Sequence, residues 1–319
     1  MKETFAKGIF ALATNHKVDW SKEKIVSHGQ LSTYSKCPRS WELKHVRGNK
    51  VFDPSIDLIF GQAMHTVMQS WLKTMYTTTI KAANAMDLEG MLMEEMKKEY
   101  VMTLQKEGTL HYTNQEEMAE YYVSGCEIIK TLRSKRKLYF ETKDVELIAI
   151  ELPLNCSPDP TRPNVILQGY LDLIFYDKAS AKYKIIDIKT SKKGWSQWAK
   201  KDKTKANQVV LYKKYFCELY DLPYDRVDVE YFIVKRKIDL DSLYPQKRIQ
   251  VFAPSNGKLT IKKLEKEFLD FLRTCFNEDG TYIDRKHPAI AGENYYNCRF
   301  CVFNENEELC PKSDRITKI

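Results

Sequence analysis

The sequence predicts an α/β fold in which a helical block precedes a mixed β-sheet. Apolar residues recur at helical spacing up to about Thr142, and short apolar runs typical of strands follow them. One predicted helix interrupts the series of strands, which is typical of a sheet with both parallel and antiparallel pairs. The chain has 319 residues, of which 43% are hydrophobic, so it is long enough to bury a substantial core.

Helices dominate the first part of the chain. Apolar positions at helical spacing predict helices over residues 31–46, 60–75, 88–104 and 115–138. Pro38 interrupts the first of them, because proline lacks the N–H group that a helix interior requires. The last two are rich in Glu, Lys, Met and Leu, all of which favour helices.

The strands begin after this block. We predict strands at 145–152, 165–176, 183–190, 227–234 and 248–252, with helices over 206–220 and 261–276. A polar turn at 177–182 joins the second and third strands, and three prolines make 155–164 a loop. The tail from Asn277 is expected to be irregular, and it carries three of the eight cysteines.

The net charge of +8 comes from two lysine-rich segments. Residues 130–137 and 191–205 each carry a net charge of +5, so the rest of the chain sums to −2. Two such patches fit a polyanionic partner, because every phosphate that a lysine neutralises releases counterions. The alternative is a pair of solvated lysine faces.

The apolar runs are too short for a membrane protein, since none approaches the ~18 residues that a spanning helix needs. Residues 1–17 also lack the small-residue cleavage site of a signal peptide. We therefore expect a cytoplasmic protein without a membrane partner (in the host cytoplasm, if a virus encodes it). In that reducing compartment the cysteines would be free thiols or metal ligands rather than disulfides.

Two acids and a lysine lie in strands that are otherwise apolar. Asp187 and Lys189 are two residues apart, so they project from the same face of the strand at 183–190. The turn at 177–182 can bring Asp172 beside them. Carboxylates in apolar strands are costly unless they are paired or bind a metal, and two of them suit Mg²⁺ or Mn²⁺. The spacing alone leaves a structural Asp–Lys ion pair as an equal alternative.

Four ordered motifs extend this interpretation. They are Gly61-Gln62-Ala63-Met64-His65, Gly169-Tyr170-Leu171-Asp172, Asp187-Ile188-Lys189-Thr190 and Gln208-Val209-Val210-Leu211-Tyr212. Together they resemble the PD-(D/E)xK nuclease superfamily, specifically its RecB-like and AddB-type branch, which includes the CRISPR-associated iron–sulfur exonucleases. The resemblance covers about residues 31–310. It implies a restriction-endonuclease-like core, a central mixed sheet flanked by helices, in a single domain over 1–319.

The resemblance also implies roles for these residues. The implied catalytic residues are Asp172, Asp187, Lys189, Gln208 and Tyr212, and the implied ligands of Mg²⁺ or Mn²⁺ are His65, Asp172 and Asp187. Lys189 would position the attacking water, and Gln208 and Tyr212 would contact the DNA strand. Without the other motifs, His65 would more often be a core histidine. The implied function is a metal-dependent deoxyribonuclease, with exonuclease action on DNA ends or single strands in recombination, repair or viral genome metabolism.

Four cysteines form a second candidate site. Cys298 and Cys301 form a C-x-x-C pair, which puts two thiolates on one tight turn, and Cys310 follows them. Cys37 lies in Leu31-Ser32-Thr33-Tyr34-Ser35-Lys36-Cys37-Pro38, which resembles the N-terminal L-S-x-Y-x-x-C-P segment of the same family. There, four such cysteines hold a [4Fe–4S] cluster that joins the two ends of the chain. Soft four-cysteine sites also suit Zn²⁺.

The remaining predictions concern organisation and partners. We interpret residues 76–143 as a helical insertion and 296–311 as a cysteine motif that packs against the Cys37 region. The chain carries no G-x-x-x-x-G-K-[ST] motif, so a helicase or recombinase would be a separate partner. The tryptophans of 191–205, Trp195 and Trp198, would stack on unpaired bases or anchor that segment. The alternative function is a non-catalytic DNA-binding or scaffold module that retains the nuclease fold.

Overall fold

One six-stranded sheet organises the computed structural model, which describes residues 17–49, 54–107, 112–239, 243–244 and 246–317. Its strands are β1 (Lys24–Val26), β2 (Val145–Cys156), β3 (Val165–Asp177), β4 (Lys182–Ser191), β5 (Val227–Lys235) and β6 (Ile249–Phe252). They lie in the order β1-β3-β4-β5-β6, with β2 along the remaining edge of β3. The β4–β5 and β1–β3 pairs are parallel and the other three are antiparallel, so the predicted mixed sheet is confirmed.

Helices cover both faces of this sheet. In chain order they are α1 (His28–Lys36), α2 (Pro38–Trp41), α3 (Ile56–Thr77), α4 (Ile80–Asn84), α5 (Leu88–Glu107), α6 (Gln115–Ser134), α7 (Arg136–Tyr139), α8 (Gln197–Lys201), α9 (Lys203–Ala206), α10 (Gln208–Leu219) and α11 (Lys258–Cys275). Two short parallel strands, β7 (Ala289–Ile290) and β8 (Arg315–Ile316), form a separate pair. In the part of the chain that the structure describes, no helix is both long and apolar enough to cross a membrane.

Two predicted helices are broken in the structure. The helix predicted over 31–46 ends at Lys36 and restarts at Pro38, because proline is well suited to the first turn of a helix. Its last part is a π-helical turn (Glu42–Val46). The helix predicted over 115–138 breaks at Lys135, between α6 and α7. Residues 1–16, where the sequence predicts mature protein, lie outside the described residues.

Two segments between the predicted strands and helices are partly regular. The lysine-rich segment 191–205 contains α8 and most of α9, so it is not a plain loop. The loop predicted over 155–164 begins two residues later, because β2 continues to Cys156. Pro153 lies within β2 without disrupting the sheet, because β2 pairs with a single neighbour and an edge strand tolerates proline.

The core occupies both faces of the sheet. One face of the sheet carries Ile185 and packs against α1, α10 and α11. The opposite face carries Ile186 and Ile188 and packs against α3, α5 and α6. The helices of residues 76–143 thus share a core with the sheet. Successive residues of a strand point to opposite faces, so Asp187, between Ile186 and Ile188, projects toward the α10 face.

The two ends of the described chain pack together. The Arg39 N–H donates to the Pro288 carbonyl at 3.0 Å, and the His287 N–H donates to a Glu42 carboxylate oxygen at 2.8 Å. Glu42 is only 1% exposed, and its carboxylate also pairs with Arg39 and Arg47. We call these contacts between the Arg39–Glu42 and His287–Pro288 segments the junction. Removing one partner of a buried charge network leaves the others uncompensated, so loss of the Glu42 carboxylate is expected to destabilise the junction.

Replacing Glu42 with alanine should lower the free energy of unfolding by about 3–5 kcal/mol, because Arg39 and the His287 amide lose a buried partner. Urea unfolding followed by circular dichroism measures this loss. The control Glu94→Ala removes an exposed pair with Lys97 and should cost at most ~1 kcal/mol. Equal losses in the two variants would show that the junction is not held by the Glu42 network.

Candidate active site

The site begins where two neighbouring strands separate. β3 and β4 pair as far as Leu173 and Ile186, and beyond that point the residues of β4 pair with β5. Asp172 and Asp187 are the next residues on each strand, so they face one another across the opening. The Ile188 N–H donates to Asp172 Oδ2 at 2.7 Å, where a continuous ladder would supply a backbone carbonyl. The separation therefore gathers two acids at an unpaired strand edge.

Asp187 and Lys189 lie side by side on β4. Lys189 Nζ forms an ion pair with Asp187 Oδ2 at 2.7 Å. This oxygen is buried, and Lys189 is its charged partner. A carboxylate has about four lone-pair sites, so Asp187 can still accept a further ligand.

Burial and charge shift the ionisation of these groups. Burial raises the pKa of Asp172 well above its usual value, and the Asp187 charge adds to this effect. Burial alone would lower the pKa of Lys189, but the carboxylates of Asp187 and Asp172 raise it above its usual value. Lys189 therefore stays protonated at neutral pH. The two acids carry an electrostatic cost that a cation in the opening would offset.

His65 reaches the same opening from α3. Its Nδ1 lies 3.6 Å from Asp172 Oδ2, which is too far for a hydrogen bond. Burial lowers the pKa of the imidazole, so the ring is neutral at pH 7 and offers a nitrogen ligand. Gly61, one helical turn earlier, lets α3 come close to β4, because a Cβ there would lie 3.2 Å from Thr190 Oγ1. This close approach is what brings His65 beside Asp172.

α10 closes another side of the site. Gln208 Nε2 donates to the Tyr212 hydroxyl at 3.2 Å, so the two residues of the fourth motif are in contact. A Cβ at Gly169 would lie 2.7–2.9 Å from three atoms of the Tyr212 side chain, so a glycine is needed to make room for it. Tyr212 is 6% exposed, and burial raises the pKa of its hydroxyl. At neutral pH this hydroxyl is a hydrogen-bonding group and not a base.

The two tryptophans that follow β4 differ in their surroundings. The Trp195 ring packs on Tyr231, with ring centroids 4.7 Å apart, and the Trp195 N–H donates to Gln250 Oε1 at 2.8 Å. Trp195 therefore anchors the segment, which is the second of the two roles expected for it. Trp198 is 84% exposed, so its ring is accessible to a partner.

One acid at this site, Glu151, was not predicted from the sequence. Glu151 lies in β2, and its neighbours Ile150 and Leu152 pair with the neighbours of Asp172. One ligand atom each from His65, Glu151 and Asp172 lie within 4.8 Å of one another. Acidic residues are common in half-exposed strands, so the sequence gives no signal for Glu151. The register of β2 against β3 is what places it at the opening.

The match of this chain to a known family covers most of its length. A family model described as the PD-(D/E)XK nuclease superfamily matches residues 25–310. The chain belongs to the PD-(D/E)XK nuclease superfamily. No curated protein sequence matches it. The match spans β2 to β6, all but the first residue of β1, and all four motifs. The central mixed sheet flanked by helices is consistent with the restriction-endonuclease-like fold of this superfamily.

PD-(D/E)XK nucleases use divalent metals, and the residues at the opening fit such an ion. The donors are carboxylate oxygens and one neutral imidazole, which suit Mg²⁺ and Mn²⁺. Two buried carboxylates with a single ammonium beside them, and the 3.6 Å gap between His65 and Asp172, are the features that a cation would satisfy.

The four predicted cysteine ligands surround one small cavity. It is lined by Cys37, Cys298, Cys301 and Cys310, together with Ser40 and Arg315. The Ile290 N–H donates to Cys37 Sγ at 3.3 Å, and all eight cysteines of the chain are free of disulfides. Burial raises the pKa of Cys298 and of Cys310, whereas Arg315 opposes this effect.

Replacing Asp172 with asparagine should stabilise the metal-free chain at neutral pH by about 0.5–2 kcal/mol. The folded-state pKa of Asp172 lies above its unfolded value, so the wild type loses stability as the pH rises through the folded pKa. The gain from the substitution should therefore shrink as the pH falls toward about 4. Thermal unfolding in EDTA at several pH values measures this gain in stability. If the variant were no more stable than wild type at neutral pH, the Asp172 carboxylate would not destabilise the metal-free chain.

Proposed function

We propose that this member of the PD-(D/E)XK superfamily is a divalent-metal-dependent deoxyribonuclease that hydrolyses phosphodiester bonds. The observation that carries the proposal is the opening between β3 and β4, where Asp172, Asp187, Lys189 and His65 converge. The family supplies metal-dependent nuclease chemistry. The opening supplies the groups that such chemistry requires: hard oxygen ligands, an imidazole and an ammonium.

Asp172, Asp187 and His65 are the proposed ligands of Mg²⁺ or Mn²⁺. A divalent ion neutralises charge on the phosphate and lowers the pKa of water. The neutral ring of His65 and the excess of carboxylates over the single ammonium at the opening favour this assignment over a purely structural ion pair. The presence of one nitrogen among oxygen ligands accommodates Mn²⁺ as well as Mg²⁺.

Lys189 is proposed to orient the attacking water. The neighbouring carboxylates keep its ammonium protonated, and the ion pair with Asp187 holds it at the opening. An ammonium has three N–H donors, so Lys189 can bind a water and still donate to a phosphate oxygen. A preorganised donor of this kind stabilises the charge that develops on the phosphate as the P–O bond breaks.

Contacts to DNA are proposed for α10 and for the segment 191–205. Gln208 and Tyr212 lie beside the acids and are proposed to contact the strand near the scissile bond. Lysines of the segment would neutralise backbone phosphates. The exposed ring of Trp198 would stack on an unpaired base.

We infer exonuclease action on DNA ends or single strands, in recombination, repair or viral genome metabolism. This inference rests on the similarity of the four motifs to the RecB-like and AddB-type branch. The sequence given carries no P-loop motif, and we propose that the nuclease acts alone or with a separate helicase or recombinase.

Wild-type protein should cleave labelled DNA in Mn²⁺ or Mg²⁺, and Lys189→Ala should slow cleavage by about 100-fold or more while DNA affinity is unchanged. The matched control is Lys184→Ala on the same strand, which removes an ion pair with Glu230 and should leave cleavage intact. Gel-based cleavage rates on single-stranded and duplex substrates, with affinities from fluorescence anisotropy, measure both effects.

The same assay separates the nuclease from the non-catalytic module. DNA binding without cleavage in either metal would favour the module and refute the nuclease. Metal-dependent cleavage that Asp187→Ala abolishes would exclude the module.

We also propose that Cys37, Cys298, Cys301 and Cys310 hold a [4Fe–4S] cluster with a structural role, in a reducing cytoplasm. The resemblance of the Cys37 segment to the N-terminal segment of the iron–sulfur members favours a cluster over Zn²⁺, and the four cysteines line one cavity. The cluster would reinforce the junction that Glu42 and the backbone hydrogen bonds already make.

Protein purified without oxygen should be brown, with a broad absorbance band near ~400 nm and about four irons per chain. Cys298→Ser should lose the band and melt at a lower temperature, because the junction loses its cross-link. Cys126→Ser, at a cysteine of α6 away from the cavity, should keep both properties. A colourless protein that contains zinc would contradict the cluster.

A further inference from the structure

A cavity of about 520 Å³ lies on the α10 face of the sheet, beside the proposed active site. It is enclosed by α1, by α11 and by the residues that lead into α10. Two of its residues connect it to the opening between β3 and β4. Asn207 directly precedes Gln208, and the charge of Lys189 acts on the ring of His28. Sites for small organic groups commonly have volumes of about 300–1,000 Å³, so the cavity is large enough to hold one.

The wall of the cavity is largely apolar. Leu31, Leu264 and Phe271 are buried and line it. The Phe271 ring packs on Tyr34, with ring centroids 4.9 Å apart, so its position is fixed by a neighbouring side chain. Aromatic and aliphatic walls suit the faces of a planar heterocycle, and nucleobases stack on aromatic side chains without regard to sequence.

Two polar side chains of the cavity make no hydrogen bond with the described residues. His28 is only 6% exposed, and burial together with the charge of Lys189 lowers its pKa to about 4. At neutral pH its ring therefore offers one N–H donor and one acceptor. Asn207 precedes α10 without capping it through its side chain, so its amide also offers donors and an acceptor. Both groups can pair with the polar edge of a ligand.

The charges at the rim favour a neutral occupant. The rim carries one lysine and two acids, Lys203, Glu267 and Asp270, and Asp270 pairs with Lys266 at 2.5 Å. This rim has no excess of positive charge, which a phosphate would need. A nucleobase is neutral, and its exocyclic amino group can donate to a carboxylate such as that of Glu267.

We propose that this cavity binds one unpaired nucleobase of the strand that is cleaved at the opening, and that adenine fits it best. The inference rests on the proposed nuclease function and makes single-stranded DNA the substrate class. Adenine presents an acceptor and an amino donor side by side, and an asparagine amide pairs with both. Asn207 is the residue that would read this edge, while the phosphates of the strand lie outside the cavity.

Strand binding without cleavage tests the cavity. In EDTA, the full chain should bind a thymidine strand of about twelve nucleotides with one central adenine at least about 5-fold more tightly than the all-thymidine strand. Asn207→Ala should bind the two strands equally and keep the wild-type affinity for the all-thymidine strand, because the amide that pairs with adenine is gone. Fluorescence anisotropy measures these affinities. The melting temperature of this variant should match wild type, since Asn207 makes no capping hydrogen bond.

Lys203→Ala is the matched control at the rim of the same cavity. It should weaken binding of both strands by the same factor, because a lysine that neutralises phosphates carries no information about the base. Equal affinity of the wild type for the two strands would overturn the base site, and so would a preference that survives in Asn207→Ala.

The binding assay is independent of the cleavage assay. A chain that cleaves DNA but binds the two strands equally refutes the base site and leaves the nuclease standing. A chain that prefers the adenine strand, loses this preference in Asn207→Ala and does not cleave DNA supports the base site and refutes the nuclease.

Discussion

The hydrogen bond from the Ile188 N–H to the Asp172 carboxylate is the interaction around which the rest of the site is arranged. Strands that separate inside a folded sheet leave backbone groups that must still be paired, and Asp172 supplies that partner in place of the neighbouring strand. The bond fixes one carboxylate at the opening, opposite Asp187. The other groups then approach this point from three elements: His65 from α3, Tyr212 from α10 and Glu151 from β2.

The buried carboxylates at the opening destabilise the folded chain, and a role in binding a cation would explain why they are there. Burial opposes the ionisation of Asp172, and the Asp187 charge adds to that opposition. A chain selected only for stability would place apolar residues in such an opening. A Cβ at Gly61 would crowd the Thr190 side chain and one at Gly169 would crowd Tyr212, so the two glycines let α3 and α10 pack closely at the site. Rigid placement of costly charges is typical of sites that bind a cation or a reacting group.

Much of the site can be predicted from the sequence because its residues lie close to one another along the chain. Asp187 and Lys189 share a strand face through a two-residue spacing, and a short turn returns β3 beside β4, which brings Asp172 to them. Glu151 is different, because a bulge near Leu147 and an intervening loop separate it from Asp172. Its position depends on a register that no local pattern encodes. The packing of Trp195 on Tyr231 is equally non-local, and for that reason the sequence alone left its role open.

The central claim is that the Asp172–Asp187 opening holds a divalent ion and is not a structural ion pair. The most direct measurement is the anomalous scattering from crystals grown with Mn²⁺. We expect a manganese peak within coordination distance of both carboxylates. An opening without manganese, in which Lys189 still pairs with Asp187 at the same oxygen, would contradict it.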